Sequence, residues 1–125
     1  MQILQFEAKW NKTIAPADRE NIENLFEETK HMDNENIVLL PIRQDYNHRH
    51  DLLVIVLLHN FTDQVFPFES IDLSYLEKGR LIAAHQFSFP KLTLPANTSM
   101  PWTFIFPEAT QKDKASFENG QLIFA

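Results

Sequence analysis

Leu52-Leu53-Val54-Ile55-Val56-Leu57-Leu58 is the stretch that decides the fold. Its seven consecutive apolar residues include three β-branched ones, which suit an extended chain better than a helix. The run is far short of the ~20 residues that cross a bilayer as a helix. A half-buried strand alternates apolar with polar, and this one does not. Both of its faces must therefore be covered, which puts it at the centre of a sheet.

Moving towards the N-terminus, Asp45 to Asp51 is a polar loop, and Ile37 to Ile42 is apolar with Pro41 inside it. Proline cannot donate to a ladder, so this segment is expected at a sheet edge or around a bulge. Met32 to Glu35 is polar and turn-like. Upstream, Pro16 suits a first helical position, Asp18 and Glu20 follow it, and Ile22, Leu25 and Phe26 make one apolar face. An amphipathic helix is predicted over 16–31. Leu4, Phe6, Ala8 and Trp10 alternate with Gln5, Glu7 and Lys9, which predicts a strand over 3–10.

Towards the C-terminus the pattern stays that of strands. Ile71 to Tyr75 alternates, and Leu81 to Phe89 follows the short loop Glu77-Lys78-Gly79-Arg80, a hairpin signal. Trp102, Phe104 and Phe106 share one face of a further strand, and Phe117 to Phe124 supplies a last one after a turn at Asn119-Gly120. Short strands separated by prolines and polar turns leave no room for the crossover helices of a parallel sheet. The prediction is a single, mainly β domain over 1–125: an antiparallel Ig-like β-sandwich over 37–125 with one N-terminal amphipathic helix.

The chain has 125 residues, a formal charge of −6, no cysteine and two glycines. The acidic balance argues against a nucleic-acid partner, whose phosphates call for a basic patch. Without cysteine there is no thiolate metal site, disulfide or cysteine nucleophile. Gly79 and Gly120 alone cannot build a phosphate-cradling loop. No secretory signal or membrane-spanning run is legible, so a cytoplasmic location without membrane insertion is expected, peripheral contact with the envelope aside. The three Asn-x-Ser/Thr triplets, at Asn11, Asn60 and Asn97, read as chance or as turn chemistry.

No residue set makes a catalytic constellation. None of the serines sits in a nucleophile-elbow context, and Glu23 with Glu27 is a solvated surface pair. No cofactor is implied. Two candidate sites of different kinds remain. The first is a protein-interaction surface at a sheet edge, serving a protein partner or self-association. It uses Phe66 and Phe68, with the acidic helix face of Glu20, Glu23 and Glu27 steering a basic partner. The alternative is a small metal- or ligand-binding site at His48, His50 and Asp51. Its spacing is that of alternate strand residues, yet the same residues read as a polar loop.

One pattern carries a family resemblance. It comprises Tyr46-Asn47-His48, then Leu52 to Leu58 with His59-Asn60-Phe61, then Leu92-Thr93-Leu94-Pro95-Ala96-Asn97-Thr98-Ser99-Met100-Pro101-Trp102-Thr103-Phe104-Ile105-Phe106-Pro107. This resembles the SLAP domain of Bacillus-type Firmicutes, over roughly residues 1–108 and most specifically at Pro95 to Pro107. Phe6-Glu7 and Trp10 fit the same pattern. The resemblance implies a non-enzymatic domain that supports assembly or export of surface-layer proteins, in association with an accessory Sec system, and it transfers no catalytic residues.

Overall fold

A computed structural model describes residues 2–32 and 36–125, so most of the turn expected at Met32–Glu35 lies outside the described residues. Three layers stack. The central one is a four-stranded sheet of β1 (Ile3–Leu4), β2 (Ile37–Tyr46), β3 (Leu52–Asn60) and β8 (Thr98–Phe106), in the order β1-β8-β3-β2. A three-stranded sheet packs on one face of it, formed by β5 (Ile71–Glu77), β6 (Arg80–Phe87) and β9 (Gly120–Phe124) in the order β6-β5-β9. Helices α1 (Ala8–Thr13) and α2 (Pro16–Thr29) cover the other face. A small ribbon of β4 (Phe66–Pro67) and β7 (Thr93–Leu94) joins the layers at one end.

The chain is thus mainly β and antiparallel, as the run of short strands requires; among the described residues only β1 pairs in parallel, with β8. β3 is flanked by β2 and β8, and its even-numbered residues Leu52, Val54, Val56 and Leu58 point into the core between the sheets. Leu57 points the other way, into a second core with Ile22 and Phe26 of α2. Covering on both sides is why the stretch carries no polar residue. β2 closes its sheet at one edge, and its register with β3 shifts between Pro41 and Arg43, so Pro41 marks both an edge and a bulge. Lys78 and Gly79 both take positive φ in the two-residue turn between β5 and β6, the backbone twist a tight hairpin needs.

The strand predicted over 3–10 is corrected. Only Ile3–Leu4 is extended, and Ala8–Thr13 is helical. The Glu7 carboxylate accepts hydrogen bonds from the backbone N–H groups of Lys9 and Trp10, capping a helix start that period-two counting cannot register. The predicted amphipathic helix is present as α2, and the short α1 precedes it where a strand was expected. Phe6, Trp10 and Ile14, four apart, make the face that packs on the sheet.

Candidate functional site

A groove opens where the helical layer meets the edge of the central sheet. α1 supplies Lys9 and Trp10, the link to α2 supplies Ile14, α2 supplies Asp18, Asn21 and Ile22, β2 supplies Ile42 and Arg43, and β3 supplies Ile55. It encloses about 500 Å³, within the ~300–1,000 Å³ range of ligand sites. Trp10, Ile14, Ile22, Ile42 and Ile55 give it an apolar floor, while Lys9, Asp18, Asn21 and Arg43 place polar groups around it.

The β2 bulge makes this arrangement possible. Residues paired directly across two strands share a face. Pro41 pairs with Val56, and Arg43 pairs with Ile55. Ile42 is the surplus residue, so Ile42 and Arg43, neighbours in sequence, both face the helices instead of opposite sides. A regular strand would have sent the guanidinium into the core between the sheets. Instead Arg43 is exposed beside an isoleucine floor, and neither Arg43 nor Lys9 has an ion-pair partner among the described residues.

A family model described as the SLAP domain matches residues 4–125. The chain belongs to the SLAP-domain family. The match runs to the last residue, so β9 and the loop before it belong to the SLAP domain as well, beyond the 1–108 span on which the resemblance rested. No curated protein and no solved structure matches the chain.

The SLAP domain does not gather the residues singled out in its sequence into one place. Phe68 is fully buried, edge-on to Phe66 at 5.3 Å, so it is a core residue and cannot offer a contact surface. Phe66 is half-buried beside it, and its ring lies 6.3 Å from that of Phe124. Glu20, Glu23 and Glu27 are exposed on α2, with Glu27 paired to Lys30 at 2.7 Å. His48 and His50 are exposed in the turn between β2 and β3. The Asp51 carboxylate accepts from Asn47 Nδ2 at 3.1 Å, and Asn47 Oδ1 accepts from the N–H groups of Arg49 and Asp51. Among the described residues, no three His, Asp or Glu side chains stand together as metal ligands. No helix among them is long and apolar enough to cross a membrane.

Two polar clusters that sequence reading missed are interior. His59 is fully buried, with Nε2 2.8 Å from Thr29 Oγ1 and Nδ1 2.6 Å from Ser99 Oγ. The Thr29 hydroxyl donates to the Leu25 carbonyl, so its oxygen is left to accept from Nε2–H. Nδ1 then accepts from the Ser99 hydroxyl, whose oxygen accepts from Gln2 Nε2. Every member is satisfied only with a neutral ring, and burial lowers the His59 pKa to about 4. A serine–histidine contact of this kind resembles half a catalytic triad. Here both partners are sealed in, and the contact ties α2 to β3 and β8.

Glu77 is the second cluster. Its carboxylate accepts from Tyr75 Oη, from the N–H groups of Ser116 and Phe117, and from Ser116 Oγ. Burial alone would raise its pKa, but these donors outweigh burial and hold it below the usual carboxylate range. Tyr75 is two residues away, but Ser116 and Phe117 lie 39 and 40 residues away in sequence, which no local pattern announces.

Proposed function

We propose that this SLAP domain is a non-enzymatic protein-interaction module that supports the assembly or export of surface-layer or other cell-envelope proteins. The groove between the helices and β2 carries this reading. It is an open, apolar-floored surface at the free end of a sheet, the kind of place where a partner segment lodges. The buried states of His59, Ser99 and Glu77 support the non-enzymatic part, since their polar atoms are committed to internal hydrogen bonds. The exposed Glu20, Glu23 and Glu27 on α2 would draw in a partner with a basic stretch. The same reading has the domain at work in the cytoplasm, in peripheral contact with the envelope machinery. Either a client protein or a second copy of the chain would dock.

The test is capture from the native cell with a crosslinkable form of the chain, together with light scattering on the purified protein. Recovery of envelope or exported proteins is the expected outcome. No captured protein, combined with a strictly monomeric chain, would overturn the reading.

A further inference from the structure

Resting on the interaction-module reading, we propose that the groove receives an extended segment of the partner protein in which bulky apolar side chains stand next to carboxylates. The apolar part follows from the floor. Trp10, Ile22, Ile42 and Ile55 come from four different elements and leave about 500 Å³ between them, room for more than one large side chain. The acidic part follows from the rim. In a chain of formal charge −6, whose α2 surface is lined with glutamates, the groove nevertheless brings Lys9 and Arg43 to one opening. Neither has a carboxylate partner among the described residues, although Asp18 lines the same groove.

Arg43 reaches that opening only because β2 carries a surplus residue, so a structural irregularity is spent on bringing a guanidinium to an apolar surface. A guanidinium accepts a carboxylate through two parallel hydrogen bonds, and a flanking apolar wall strengthens that pairing by excluding water. Asp18 and Asn21, on the same rim, can take up N–H groups of an extended backbone. A segment reading apolar-apolar-acidic-acidic matches all of these groups.

Three probes test the inference on the full chain, followed through the methyl resonances of Ile42 and Ile55. They are a terminally blocked peptide Ser-Leu-Phe-Asp-Glu-Ser, its charge-swapped counterpart Ser-Leu-Phe-Lys-Lys-Ser, and decanoate. The acidic peptide is expected to bind saturably, at least about tenfold more tightly than the charge-swapped one. Arg43→Glu and Lys9→Glu should each weaken it by a similar factor, with the thermal midpoint unchanged because both side chains are exposed. No saturable binding of the acidic peptide, equal binding of both peptides, indifference to Arg43→Glu, or tighter binding of decanoate would overturn the inference. Capture from cells separates the two levels. Proteins recovered equally well by Arg43→Glu would sink the groove assignment while leaving the interaction module standing, whereas no capture by a parent chain that is also strictly monomeric sinks the module itself.

Discussion

His59 shows how much one neutral ring can hold. In the unfolded chain an imidazole takes up a proton near pH 6.5, whereas in the folded domain it does so only at about 4. Between those values the unfolded state binds more protons, so stability that is complete above pH 6.5 is lost as the pH falls. The loss reaches up to about 3 kcal/mol by pH 4. Urea unfolding from pH 7 down to 4 should show a steadily falling midpoint, and His59→Gln should flatten that slope. Below the usual carboxylate range Glu77 adds to the loss, because its depressed pKa contributes stability that disappears as pH falls through the folded value. Gly120 makes a second prediction. A β-carbon there would lie 2.8 and 2.9 Å from Cε1 and Cζ of the buried Tyr75 ring. Gly120→Ala should therefore cost about 1–3 kcal/mol through forced displacement of that ring, read as a drop in thermal midpoint.

At the level of elements, sequence patterns spoke clearly where burial alone set them. Leu52 to Leu58 announced a central strand because both of its faces are covered. Pro41 pointed to an edge or a bulge because its missing N–H allows little else, and the structure has both there. Of the Asn-x-Ser/Thr triplets, Asn60-Phe61-Thr62 does carry turn chemistry, Asn60 Oδ1 accepting from both the N–H and the hydroxyl of Thr62, whereas Asn11-Lys12-Thr13 lies within helix α1. Helix α1 was not legible as such, since alternation at Leu4, Phe6, Ala8 and Trp10 coincides with a four-residue spacing, and the Glu7 cap decides between them. Glu7→Ala should remove about 0.5–2 kcal/mol of that cap. Because Trp10 follows in α1 and floors the groove, tryptophan emission should shift at the same time. An unchanged spectrum and unchanged stability would refute the capping account. The groove itself was beyond sequence reading, because its residues come from α1, α2, β2 and β3 and meet only in the folded chain.

For the whole molecule, the central sheet is shared by two cores that cannot separate without exposing it. Leu57 serves the helix side and Leu58 the sheet side, one residue apart on β3. Leu57→Ala and Leu58→Ala should each lower the stability of the entire domain by about 2–5 kcal/mol. Far-ultraviolet and near-ultraviolet circular dichroism should report one coincident transition in both variants. Early melting of the helices alone in Leu57→Ala would show instead that the helical layer is an independent unit.

The surplus residue in β2 also changes what kind of variation matters. Where a strand keeps strict alternation, exchanging one amino acid alters one face at one spot. Where the phase slips by one, chain length becomes the variable: losing the surplus residue would leave Arg43 opposite Ile55 and still facing the helices, but would take the Ile42 side chain out of the apolar floor. Related chains one position shorter here would therefore keep the same cation on the rim above a smaller apolar floor, even with every neighbouring side chain the same.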